Sequence, residues 1–138
     1  MLEVYLDPCT VNSRKVLAGL AALKTDYKYH FVDYFAGGQK DSDFVKNVNP
    51  SATVPAAVDD GLYLTESNAI LMYAADISGE SKLYPRDLKQ RASINRWLLW
   101  EASAWFPSCY VYLIENTVKP GMRSSIDGTQ FLLDTQAD

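Results

Sequence analysis

The chain is poor in the residues that metal and hydrolytic chemistry need. It has one histidine, His30, among 138 residues. A zinc enzyme draws on several His, Cys or carboxylate ligands, and a Ser-His hydrolase needs a histidine beside its nucleophile. His30 sits in the apolar-polar alternation from Tyr27 to Val32, which points to a structural place. There are two cysteines, Cys9 and Cys109, far apart in sequence. That spacing makes neither a metal motif nor a disulfide framework. Positive charge is not in excess, since 13 Lys and Arg stand against 17 Asp and Glu for a net charge of −4. Without a basic stripe, nucleic-acid binding has little electrostatic support. No apolar run is long enough to span a bilayer. The first seven residues, Met1 to Asp7, lack the basic start and apolar run of a signal peptide. A cytoplasmic protein is the expectation.

What is there is an ordinary globular composition, 48% hydrophobic and 22% charged, in a length that suits one domain or a small domain with an appendage. Residues 2–6 alternate and are rich in Leu, Val and Tyr, which predicts a strand. Asp7 to Asn12 reads as a loop. Ser13 to Leu23 places Val16, Leu17, Leu20 and Leu23 on one helical face. Tyr27 to Asp33 predicts a second strand, parallel to the first because a helix lies between them. Ala36-Gly37-Gly38-Gln39 reads as a flexible loop, and Asp41 to Asn47 as one or two helical turns.

Thr53 to Val58 and Leu62 to Thr65 predict a hairpin turned by Asp60-Gly61. Glu66 to Ile77 predicts a helix with Ile70, Leu71, Tyr73, Ala74 and Ile77 inward. The order is β-α-β, a connection, then β-β-α, a thioredoxin-like domain over residues 1–80. Residues 81–87 read as a linker. A partial helical domain follows over 88–138, for an α/β fold overall. Its long helix carries Ile94, Trp97, Leu98, Glu101 and Ala104 at helical spacing. Pro107 is expected to kink or restart that helix, and Pro120-Gly121 to end it. Met122 to Asp138 predicts no element, although Phe131-Leu132-Leu133 forms an apolar cluster.

The most informative stretch joins Asn49-Pro50-Ser51-Ala52-Thr53-Val54-Pro55 to Glu66-Ser67. A proline at the opening of a strand leaves nearby backbone groups unpaired by the sheet. A helix start offers N–H groups and a positive dipole end to an anion. Together they can hold a short peptide by its backbone and by a carboxylate, the grip that glutathione requires. Helix initiation by Thr65 and Ser67 is the structural alternative. Thr10 and Asn12 stand at the start of the first helix. Hydroxyl and amide donors there can hold a thiolate, or can merely cap the helix.

These motifs, in this order and spacing, resemble the cytosolic glutathione transferase superfamily from Met1 to about Pro120. The resemblance rests on Asn-Pro-x-x-x-Val-Pro at 49–55, Glu-Ser-x-Ala-Ile at 66–70, Tyr84-Pro85, and the helix Arg91 to Glu101. Thr10-Val11-Asn12-Ser13-Arg14-Lys15 is similar to the Thr/Ser-x-Asn-x-x-Lys pattern of bacterial Nu-class and related transferases. The resemblance implies that Thr10 and Asn12 face the sulfur of glutathione. Glu66 would take the γ-glutamyl ammonium and Ser67 its carboxylate. Val54, freed by a cis bond to Pro55, would pair with the cysteinyl backbone. Gln39 could reach the glycine carboxylate or could belong to a solvated loop.

The implied activity is attack of the glutathione thiolate on an electrophile or peroxide, with glutathione as co-substrate and no metal. The partners implied are a small electrophile and a second copy of the chain, with no nucleic acid and no membrane. Two alternatives are a glutathione-binding or interaction module without a competent second-substrate pocket, and a thiol-disulfide oxidoreductase using Cys9. The resemblance places Ser13 where redox relatives carry a second cysteine, and Cys9 reads as a buried small hydrophobe. Ala52 and Thr53 depart from the Gly and Lys or Gln that often precede Val-Pro in the family. The family's second domain has further helices that are not visible after Pro120, so a truncated second domain is the expectation. In that case the aromatics from Trp97 to Tyr112 would be left to associate with a second copy.

Overall fold

The computed structural model describes residues 1–79, 82–118 and 120. The chain divides into two compact units after Arg91. The first is built on a four-stranded sheet of order β2-β1-β3-β4, with β1 Leu2–Leu6, β2 Tyr27–Phe31, β3 Ala56–Asp59 and β4 Leu62–Leu64. Strand β1 runs parallel to β2 and antiparallel to β3, and β3 runs antiparallel to β4. Helices α1 (Val11–Leu23), α2 (Ser42–Asn47) and α3 (Ser67–Ile77) complete the unit. This is the expected thioredoxin-like arrangement.

The period of two along each strand builds a core on either face. Leu2, Val4 and Leu6 join Ala57, Val16 and Leu20 of α1, and Ile70 and Ala74 of α3. On the opposite face Ala56, Val32 and Phe44 of α2 pack with Tyr5, Val48 and Val54. Helices α1 and α3 cross closely at Gly19, where a Cβ would lie 2.2 Å from Leu71 Cδ2. In α3 the expected inward face is corrected at its end. Ala75 is buried, whereas Ile77 is exposed. Ile77 is the last residue of the helix, where the chain is already leaving the packed surface.

Strand β2 is an edge strand, and its His30 has the structural place expected of it. Its ring stacks on Tyr5 at 4.3 Å, and its Nε2 meets Glu3 Oε2 at 2.5 Å. Lys28 Nζ lies 3.6 Å from the same oxygen. The His30 contact holds the Glu3 carboxyl below its ordinary value. At the end of the unit, the Arg91 guanidinium pairs with Asp76, its Nε donates to Pro85 O at 2.7 Å, and it lies 4.3 Å over the Tyr84 ring.

Helix α4 runs over Leu88–Trp100. The helix does not restart at Pro107. The backbone widens to i→i+5 helical turns over Glu101–Tyr110, with Pro107 inside. One α turn follows at Val111–Leu113, and the wide form resumes over Ile114–Val118. A helix accommodates proline when the local turn is widened and the missing N–H is absorbed by the change of register. In this second unit Trp97 meets Trp100 edge to face at 5.6 Å, and Phe106 stacks on Tyr110 at 4.6 Å. Trp97, Leu99, Trp100, Trp105, Tyr112 and Leu113 are exposed. The expected stop at Gly121 and the Phe131-Leu132-Leu133 cluster lie outside the described residues.

Candidate functional site

Three loops of the first unit carry most of the expected site residues, and of these the structure brings Asn12 and Ser67 into contact. The first joins β1 to α1. Thr10 is the residue before the helix, in extended conformation, and its side chain accepts no bond from the helix N–H groups. Simple capping is therefore not what Thr10 does. Its hydroxyl lies instead within hydrogen-bond reach of two acceptors, Ser13 Oγ at 2.6 Å and Asp7 O at 3.1 Å. Ser13 is fully buried and fixes the inner side of the loop. The first turn of α1 holds no acidic residue, so its positive end is not neutralised there.

The second loop precedes β3. Asn49 is fully buried, and its amide donates to Thr53 O at 2.8 Å and Thr53 Oγ1 at 3.0 Å. Its Oδ1 accepts from Ser51 N at 2.9 Å. One side chain thus closes the whole turn. Ala52 sits inside it at φ 53°, in the left-handed region. The Val54-Pro55 bond is cis, as expected. Among the described residues no protein group bonds the Val54 backbone N–H or C=O.

The third loop is the start of α3. Glu66 adopts φ 68° and ψ 113°, a sparsely populated conformation for a residue with a Cβ. Such strain costs on the order of 1–3 kcal/mol and clusters at ligand clamps. Ser67 begins the helix and is buried. Its hydroxyl lies 3.5 Å from Asn12 Oδ1, so the starts of α1 and α3 meet. No acidic residue occupies the first turn of α3 either. Two positive helix ends thus converge at one place.

Gln39 lies in a 3₁₀ turn, Gly38–Lys40, and is buried. The solvated-loop alternative for it is therefore corrected. Its Oε1 has no partner among the described residues. Cys9 is corrected in the opposite sense. It is exposed rather than buried, because its backbone N–H is held to Asp7 Oδ1 at 2.8 Å at a turn that faces outward.

Sequence reasoning gave no role to two residues of these loops, although Asn49 opens the Asn-Pro-x-x-x-Val-Pro motif. Asp7 and Asn49 each bond backbone N–H groups just downstream, a pattern that Asx residues signal before turns. A separate cavity of about 400 Å³ opens beside Tyr5, His30, Phe44 and Asp41. None of the expected site residues lines it. Among the described residues no group of His, Cys, Asp and Glu could hold a metal, and no helix is long and apolar enough to cross a membrane.

Comparison with known proteins identifies the family. Residues 3–76 match the family model described as glutathione S-transferase, N-terminal domain. Glutathione S-transferase 2 of Anopheles gambiae is 35% identical over 109 residues, covering 78% of this chain and 52% of that protein. Among solved structures, a diazinon-metabolizing glutathione S-transferase of the silkworm Bombyx mori superposes with a TM-score of 0.72 at 36% identity, over 78% of this chain and 53% of that one. A glutathione transferase homolog of Drosophila mojavensis, solved with bound glutathione, gives a TM-score of 0.69 at 29% identity, over 74% of this chain and 47% of that one. The chain thus spans about half the length of the relatives it matches. By its matched domain and its fold, the chain belongs to the glutathione S-transferase family.

Proposed function

We propose that the first unit binds glutathione and holds its sulfur as a thiolate for attack on an electrophile or peroxide. The observation that carries this reading is the meeting of Asn12 and Ser67. It brings together two helix starts that are free of first-turn acids, and the same unit carries the cis Val54-Pro55 bond. An anionic tripeptide with an extended backbone fits that combination.

The roles follow from the chemistry of each group. Val54 N–H and C=O pair with the cysteinyl backbone. The Glu66 carboxylate takes the γ-glutamyl ammonium, and the Ser67 N–H and hydroxyl take the adjacent carboxylate. The Gln39 amide donates to the glycine carboxylate. Asn12 turns its NH₂ to the sulfur. Thr10 contributes its hydroxyl, which must rotate away from Ser13 to donate to a thiolate. Donors fixed before the charge develops stabilise it without reorganising at the moment of reaction.

The whole protein's activity, its electrophile and its partners are part of the same proposal. We assign residues 1–80 to the glutathione-binding domain, 81–87 to the linker and 88–138 to a partial helical second domain. The protein works in the cytoplasm as a homodimer. The exposed Trp97, Trp100, Trp105 and Tyr112 supply apolar surface for that association.

The test has two arms. Calorimetry measures glutathione binding, and a conjugation assay with chlorodinitrobenzene measures turnover. Absence of binding overturns the reading. Binding without turnover leaves a glutathione-binding module in its place. Insulin reduction that depends on Cys9 would favour disulfide chemistry instead. Light scattering of the wild type against Trp97→Glu, Trp100→Glu tests the homodimer, and a monomeric wild type removes it.

A further inference from the structure

Among the described residues Asp7 is the only charged side chain that is buried, with 2% of its surface exposed. Burying a carboxylate is costly unless its oxygens are fully hydrogen-bonded. No cation pairs with it among the described residues. Both oxygens instead accept backbone N–H groups, Oδ1 from Cys9 at 2.8 Å and Oδ2 from Tyr34 at 3.0 Å. The Asp7 carbonyl accepts twice more, from Thr10 N at 3.0 Å and from Thr10 Oγ1 at 3.1 Å. Three of these four bonds lie within the β1–α1 loop, and the one to Tyr34 N ties that loop to the β2–α2 loop.

Both loops carry proposed glutathione contacts. Thr10 follows Cys9 directly. Tyr34 opens the segment that leads through Gly37 to Gln39, with Gly37 N bonded to Tyr34 O at 3.2 Å and Lys40 N to Gly37 O at 2.8 Å. We infer that Asp7 is a positioning residue, a buried clamp that sets the Thr10 hydroxyl and the Gln39 turn relative to one another. The inference rests on the proposed glutathione site.

Charge and position act with opposite sign, which makes the role testable. An anion near a thiolate disfavours it, so neutralising Asp7 should by charge alone lower the thiol pKa. Loss of positioning should raise it, because the donors to sulfur are displaced. Asp7→Asn keeps the shape but offers one acceptor and an NH₂, so at least one of the two N–H groups loses its partner.

The experiment measures the thiolate absorbance of bound glutathione against pH in wild type, Asp7→Asn and Asp7→Glu, with circular dichroism to check folding. The expected result is a fall of roughly threefold to tenfold in thiolate fraction at neutral pH for Asp7→Asn, up to about one pKa unit. Glutathione affinity should change by less than that. Hydrogen exchange at the Cys9 and Tyr34 amides should accelerate.

An unchanged or increased thiolate fraction overturns the positioning role, and unchanged exchange at both amides overturns the clamp. If Asp7→Asn does not fold, Asp7→Glu decides by the same signs, since its extra methylene displaces the acceptors without removing the charge. A wild type that shows no thiolate absorbance with glutathione sinks the parent reading and this one with it. A wild type that shows it, with variants that keep it, sinks this one alone.

Discussion

The Ser67 hydroxyl and the Asn12 amide oxygen lie 3.5 Å apart, across 55 positions of sequence. At that length the contact is weak, so the Ser67 proton is readily given to a carboxylate. The contact brings the starts of α1 and α3 together.

Removing the grip on the γ-glutamyl end should weaken glutathione binding. Glu66→Ala and Ser67→Ala each strip a partner from a charged group, worth about 1.5–3 kcal/mol. Calorimetry should therefore show a loss of tenfold or more in each variant. Glu66→Gly should split two properties. It relieves the strain at φ 68° and so stabilises the fold, yet it binds as poorly as Glu66→Ala. Unchanged affinity in all three would remove Glu66 and Ser67 from the site.

The thiolate should depend on the opposite loop. Thr10→Val with Asn12→Ala should lose most of the thiolate absorbance of bound glutathione at neutral pH while keeping affinity within a few-fold. Cys9→Ala should change neither by much. The opposite pattern, with turnover abolished by Cys9→Ala and spared by the double variant, would transfer the chemistry to the cysteine.

Ala52 stands at φ 53°, where a side chain costs roughly 1–2 kcal/mol and glycine costs nothing sterically. Ala52→Gly gains that relief and gives back part of it as unfolded-state entropy. The expected net effect is stabilisation of up to about 1 kcal/mol, measured by urea denaturation. A destabilised variant would mean that the Ala52 methyl makes contacts that outweigh the strain.

Stability should bend at both ends of the pH scale through one pair. Tyr73 donates to Asp59 Oδ2 at 2.8 Å, and the Met1 ammonium lies 3.0 Å from Asp59 Oδ1. The Tyr73 bond, followed by the N-terminal one, holds the Asp59 carboxyl below its ordinary value. The folded state thus prefers the carboxylate. Its contribution is present above the ordinary carboxylate pKa and is lost as pH falls through the folded value. The bond to Asp59 raises the Tyr73 phenol. That contribution is present below the ordinary phenol pKa and is lost as pH rises through the folded value. Denaturation of Tyr73→Phe at acid, neutral and alkaline pH should show a flatter profile than wild type at both ends. A profile parallel to wild type would leave the pair without effect.

Much of this was legible from residue order. The alternation at 2–6, the 3.6-residue spacing after Ser13 and the Asp60-Gly61 turn each depend on local geometry, so β1, α1 and the hairpin could be read directly. Val54-Pro55, Glu66 and Ser67 were legible for the same reason, as punctuation of strand and helix starts. Asp7 and Asn49 were not. Their roles arise from bonds to backbone groups that only the fold brings near, as with Tyr34 N, 27 positions from Asp7. Burial of Gln39 and exposure of Cys9 were hidden too, because a short loop carries no period from which its inner side can be deduced. Pro107 misled because the rule for a proline in an α-helix assumes that the helix keeps its pitch.

Arg91 carries a practical consequence for anyone dissecting this chain. Its guanidinium pairs with Asp76 on α3, its Nε reaches Pro85 O, and it lies over Tyr84, itself buried. A recombinant fragment stopped at residue 80 would discard that brace. One extended to residue 91 would keep it. The useful cut for a free-standing glutathione-binding module therefore falls within a helix, not in the proline-bearing stretch ahead of it.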